Sequence, residues 1–157
     1  MESNTTQKTK TASLLPGLLL AVLFWPSGAL AKAPCPVLEA TYVDVGNQRF
    51  QVEVAASTAD REQGLSGRSR LPLEAGMWFV LPAPGLHGFW MKGMNFPIDL
   101  VWISPDRVVL GIERLVPCSP NSCPIHYSPG QAIYVLEVNA GRFAGKPGDR
   151  ADWLCAP

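Results

Sequence analysis

The sequence predicts a mainly β protein, a compact β-sandwich or partly closed barrel with one short helix, preceded by a signal peptide. Three observations lead there. Apolar and polar residues alternate with a period of two in segment after segment, as half-buried strands require. Glycine and proline supply 25 of the 126 residues after position 31. That is well above their usual share of roughly 12 per cent, and they punctuate the strands rather than form a tract. Only one stretch carries helix-capping chemistry, and it is short.

Residues 1–31 have the three parts of a secretory signal. Lys8 and Lys10 supply positive charge, and an apolar run follows from Leu14 to Trp25. Ala29-Leu30-Ala31 then offers the small residues a signal peptidase needs. The apolar run is well short of the ~20 residues that cross a bilayer. Cleavage is expected after Ala31, and the mature chain is expected to be periplasmic or secreted. Cys35 follows Lys32-Ala33-Pro34 rather than the small apolar residues that lipidation prefers. The 126 residues left are enough for one domain with its own core.

Residues 32–40 read as an extended lead-in and residues 41–155 as a single β-rich domain. Thr41–Val45 and Gln48–Val54 flank Gly46-Asn47, a pair that tolerates positive φ and suits a tight hairpin. In the second strand Phe50, Val52 and Val54 share one face, and Gln51 and Glu53 the other. Ser57 or Thr58 can cap a helix over Ala59-Asp60-Arg61-Glu62-Gln63, which Gly64 or Gly67 ends. At that length it must pack on the sheet to persist. Met77–Leu81 is apolar on both faces, as a covered central strand would be. Ile98–Ile103 and Arg107–Glu113 flank Ser104-Pro105-Asp106, a second hairpin signal, with Val108, Leu110 and Ile112 on one face. Ile133–Val138 is nearly all apolar, and Gly145-Lys146-Pro147-Gly148 turns the chain into a last strand over Asp149–Leu154.

Beyond residue 31 there are 11 basic and 12 acidic residues, with no basic run or stripe. Nucleic acid is therefore not an expected partner. A second hydrophobic span is also missing, so no membrane association of the mature form is expected. All four cysteines follow the cleavage site, and an even count in an exported chain favours disulfides. Three pairings are possible. The favoured one joins Cys118 to Cys123 across a short loop and Cys35 to Cys155 across the two ends of the domain. The alternative, a metal held by Cys118, Cys123 and His126, lacks a fourth nearby ligand and suits an oxidising compartment poorly. No metal or cofactor is expected.

Several short strings occur in a fixed order. They are Arg61-x-x-Gly64-Leu65-x-x-Arg68, Gly76-Met77-x-Phe79, Phe89-Trp90-Met91-Lys92 and Pro97-Ile98-Asp99-Leu100. Tyr134-Val135-Leu136-Glu137-Val138-x-Ala140-Gly141 and Gly148-Asp149 continue the series. The ordered set, spanning residues 41–153, resembles the domain of unknown function 192 family. The resemblance implies a compact, mainly β domain, found in exported proteins and as a short stand-alone chain, with no established activity. Two departures stand out. Related chains often follow Trp-Met-Lys with Asn-Thr, where this one has Gly93-Met94, and the insertion around Cys118–Cys123 looks peculiar to this branch.

Strand phase singles out two acids. If Ile98, Leu100 and Trp102 face one side, Asp99 shares the other with Val101 and Ile103. By the same reasoning Glu137 shares a face with Ile133 and Val135. Acids on apolar faces are costly unless paired or at a rim. The cations at hand are Arg61 and Arg68 beside the helix and Lys92 at the start of the Lys92–Pro97 loop. The expected site is a polar cluster of Arg61, Arg68, Lys92, Asp99 and Glu137 near one end of the sheet, with Trp90 beside it. Its role is either structural pairing or a small-ligand site.

No catalytic residue is assigned. Asp99 and Glu137 could act as a carboxylate pair only if ~5–9.5 Å apart across an open cleft, as glycoside hydrolysis needs. There is no G-x-S-x-G elbow, and His87 and His126 both sit beside glycine or proline in expected loops. Trp102 is expected in the core with Ile98 and Leu100, while Trp90 and Phe96 flank a loop and are better placed for exposure. The leading functional expectation is a binding or accessory module of the periplasm or cell envelope. Its partner would be a small polar ligand or an envelope protein. The alternatives are a small hydrolase using Asp99 and Glu137, and a ligand-free interaction protein with an exposed strand edge.

Overall fold

The computed structural model describes Met1, residues 35–119 and residues 121–156. Apart from Met1, the expected signal peptide and its cleavage site lie outside the described residues. A one-turn 3-10 helix at Val37–Glu39 leads into β1 (Tyr42–Val45) and β2 (Gln48–Ala55), and α1 (Thr58–Gln63) follows. Next come β3 (Ala75–Gly85), β4 (Gly88–Phe89), β5 (Ile98–Ile103) and β6 (Val109–Leu115). The described strands end with β7 (His126–Tyr127), β8 (Ala132–Asn139) and β9 (Ala151–Leu154).

Seven strands make one sheet in the order β6-β5-β8-β3-β2-β1-β9, while β4 and β7 pair as a separate ribbon. Neighbours are antiparallel except β2 and β3, which run parallel because α1 carries the chain across between them. The sheet curls until its two ends touch. Val108 bridges Arg150, the Val109 N–H donates to the Asp149 carbonyl at 2.9 Å, and the Ala151 N–H donates to that of Arg107 at 2.8 Å. The result is a curled half-barrel, the second of the two architectures the alternation predicted.

Alternation decides what fills it. Val43, Val45, Phe50, Val52, Trp78, Val101, Ile103, Leu136 and Val138 point inward and pack together. The outer face is covered over β3, β8 and β5 and at Ala55 of β2 and Leu110 and Leu115 of β6. There Met77, Phe79, Leu100, Trp102 and Val135 pack under Leu65, Leu71 and Met91, which come from the connecting loops. Both faces of the central strands are thus buried, as the unbroken apolar run at Met77–Leu81 requires. The first hairpin forms as predicted, with Val45 opposite Gln48 and Gly46 at φ +57° in the turn.

In β6 the phase differs from the expected one. The register slips between the Trp102–Gly111 and Ile103–Val109 pairs, leaving Leu110 as the extra residue of a bulge. Ile112 accordingly packs against the barrel interior and Leu110 against the outer cluster, so they do not share a face. The helix is shorter than three turns and buries no residue of its own. It is started by a capping box, in which the Asp60 N–H donates to Ser57 Oγ at 3.1 Å and Asp60 accepts from the Ser57 N–H. Both favoured disulfides are present, Cys35–Cys155 with Cα atoms 5.4 Å apart and Cys118–Cys123 at 4.8 Å. Among the described residues no helix is long and apolar enough to cross a membrane.

Candidate ligand-binding cleft

The register of the central strands fixes where each acid points. Glu137 lies opposite Met77 on one side and Leu100 on the other, on the outer face. Asp99 lies opposite Val138, which faces the barrel interior. The two carboxylates therefore sit on opposite faces of one sheet. They form no catalytic pair, and the hydrolase alternative loses the geometry it needed.

Glu137 is the unusual residue. It is only 6% exposed, flanked by apolar side chains, and its carboxyl is raised by burial alone to about 8 from an ordinary 4.5. Among the described residues no cation or donor offsets that burial. The carboxyl lies against an open cleft of about 290 Å³ between α1, the end of β3, β4 and the Lys92 loop. Arg61, Trp90 and Lys92 line the same cleft, with Phe79, Phe89 and His87. The structure thus brings together four of the six residues expected in the cluster.

Each of these has a local reason for its place. Arg61 is on the last turn of α1 and is half-buried, its guanidinium donating to the carbonyls of Ala56 and Val80 and to Thr58 Oγ1. Those bonds tie the helix to β3 and hold the charge at the cleft wall. Trp90 and Lys92 follow β4 and are exposed, while Met91 between them is buried in the outer cluster. Gly93 turns the loop at φ +73°, and its carbonyl accepts the Gly67 N–H at 2.8 Å. Asparagine also accepts that conformation, so an asparagine at this position would preserve the turn.

Arg68 and Asp99 are outside the cleft. Arg68 makes a two-pronged pair with Glu53 of β2, at 2.6 and 2.7 Å, which holds the Glu53 carboxyl below its ordinary value. Asp99 accepts Arg114 Nε–H at 2.8 Å, the Gly141 N–H at 2.7 Å and the Phe143 N–H at 3.2 Å. Gly141 at φ +79° makes the turn that aims those two amides at one oxygen. Asp99 is therefore a buried strut that fixes the β8–β9 connection. Asp99→Ala strands two amides and removes the partner of the exposed Arg114 guanidinium. It is expected to lower the unfolding free energy by about 3 kcal/mol, measured by denaturant titration.

Sequence reasoning missed a second arrangement on the outer face. Glu113 accepts the indole N–H of Trp102 at 2.9 Å and lies 3.1 Å from His126 Nδ1. It ties the β4–β7 ribbon to the sheet. Phe89 in that ribbon meets Phe79 and Trp102 edge-on, with ring centres 5.0 and 5.3 Å apart. The ribbon is what holds Trp90 at the cleft edge.

Fold and cleft together define a class, a curled half-barrel β domain with a buried carboxyl facing an aromatic and cationic cleft on its outer side. The chain belongs to the domain of unknown function 192 family, described as an uncharacterized ACR, whose profile matches residues 41–153. It is similar to a protein of unknown function from Novosphingobium aromaticivorans, at 32% identity and TM-score 0.66. That match covers 80% of this chain and 94% of the other. It is also similar to a structure from Sinorhizobium meliloti that carries a provisional description as a transcription regulator. There the identity is 30% and the TM-score 0.65, over 76% of this chain and 98% of that one. No match is found among curated proteins.

Proposed function

We propose that this protein is an exported binding module and that the cleft beside Trp90 receives a small polar ligand. One observation carries the reading. Folded proteins pair the polar groups of buried residues, yet Glu137, a buried residue whose carboxyl reaches the open cleft, has no hydrogen bond or ion pair among the described residues. A group left in that state is the mark of a site that a ligand completes. Arg61 and Lys92 add charge at the same cleft, and Trp90 adds an exposed flat surface. Export is supported by the signal-like residues 1–31 and by the two disulfides, which suit an oxidising compartment.

A thermal-shift screen against sugars, small carboxylic acids and small amines tests the reading. At least one class is expected to raise the melting temperature by about 3 °C or more at saturating concentration. Lys92→Ala and Trp90→Ala, both at exposed positions, should abolish that shift while keeping the unliganded melting temperature. A screen without shifts in any class overturns the proposal.

A further inference from the structure

Resting on that reading of the cleft, we propose that its ligand is a small zwitterionic amine. The ammonium seats against Glu137, and the anionic group faces Lys92 and Arg61 at the mouth. The cleft floor offers Glu137 no charge partner among the described residues. Met77 and Leu100 flank Glu137 across the neighbouring strands, and both are buried. A ligand hydroxyl placed there would bond to a protonated carboxyl but would bring no charge to favour its ionised form. A ligand anion placed there would sit among apolar groups against the carboxyl, which repels it whenever ionised. An ammonium supplies both the charge and the N–H donors that the carboxylate needs.

The rest of the cleft agrees. Phe79, Phe89 and Trp90 wall it, and aromatic side chains near an ammonium add further attraction. Lys92 is exposed and forms no ion pair among the described residues, leaving its charge available to a ligand anion at the mouth. A cleft of about 290 Å³ is at the small end of ligand pockets, the scale of one amino acid rather than a long peptide.

Binding carries a proton signature. Near neutral pH the empty site holds Glu137 protonated, since burial raises its carboxyl to about 8. Ammonium capture ionises it, and the displaced proton goes to the buffer.

Calorimetric titration of the disulfide-bonded protein at neutral pH, in two buffers of different ionisation heat, tests this with three probes. These are L-phenylalanine, phenethylamine, which lacks the carboxylate, and 3-phenylpropionate, which lacks the ammonium. L-phenylalanine should bind best, phenethylamine next and 3-phenylpropionate worst. Both amines should release up to one proton per ligand. In Glu137→Gln the proton release should vanish and amine affinity should fall about tenfold or more, with 3-phenylpropionate unaffected. Tighter binding of 3-phenylpropionate than of phenethylamine, unchanged amine binding by Glu137→Gln, or no binding of either amine would each overturn the inference. If 3-phenylpropionate alone binds, and Trp90→Ala weakens it, the cleft remains a ligand site and only the amine assignment fails.

Discussion

Replacing Cys35 and Cys155 together with serine is expected to destabilise the domain more than any other pairwise change outside the core. The bridge spans 120 residues, and chain-entropy reasoning assigns about 5 kcal/mol to closing a loop of that length. Cys118–Cys123 closes only 5 residues, for which the same reasoning gives about 2 kcal/mol. The long bridge also clasps the ends of β1 and β9, which pair with each other at the sheet edge. Trp153 of β9 donates its indole N–H to the Cys35 carbonyl at 2.9 Å, so the lead-in is fixed to the strand the bridge secures. Thermal unfolding of the two double serine variants checks the ranking. The Cys35/Cys155 variant should melt on the order of 15 °C below the parent, and the Cys118/Cys123 variant should lose less than half as much. Equal losses would show that the native strand pairing already restrains the ends and that loop closure contributes little.

Glu137→Gln is expected to do the reverse and stabilise the protein at alkaline pH. The folded carboxyl titrates at about 8 and its ordinary value is 4.5. Between these values the unfolded chain has released its proton while the folded chain still holds it. Stability therefore falls as pH rises through that window, and above it the folded chain carries a buried, uncompensated charge. The full window corresponds to a loss of at most about 5 kcal/mol. Glutamine keeps the shape without the titration. Unfolding free energies measured from pH 5 to pH 9 should decline in the parent and stay nearly level in the variant, the two lines diverging with pH. A variant that is less stable than the parent at pH 9 would contradict the assignment.

Much of the fold was legible because period-two alternation is a direct image of strand geometry. Phe50, Val52 and Val54 face one way in the sequence and face the barrel interior in the structure. The bulge at Leu110 was not legible, since one extra residue in one strand leaves no mark on composition. Half of the site reasoning transferred for the same cause. Asp99 and Glu137 were each recognised as acids on apolar faces, and both are buried. Which face each acid occupied depended on the β5–β8 register, a long-range property that no local pattern encodes. The partner of Asp99 was closer to hand. Arg114 lies directly opposite it in the β5–β6 hairpin, one residue beyond where the alternation of the second strand stopped being clear. Arg68 was assigned to the cluster from its nearness to the helix, but outward-facing Glu53 on β2 captures it first.

The most direct measurement is the titration of the Glu137 carboxyl itself, followed by carbon NMR of glutamate labelled at Cδ and assigned by the Glu137→Gln spectrum. One carboxyl is expected to titrate near 8 in the free protein. That resonance should stay at its ionised position down to distinctly lower pH when the cleft is saturated with L-phenylalanine. A Glu137 carboxyl that titrates near 4.5, with or without ligand, would mean that the cleft floor is already solvated or paired, and would contradict the account.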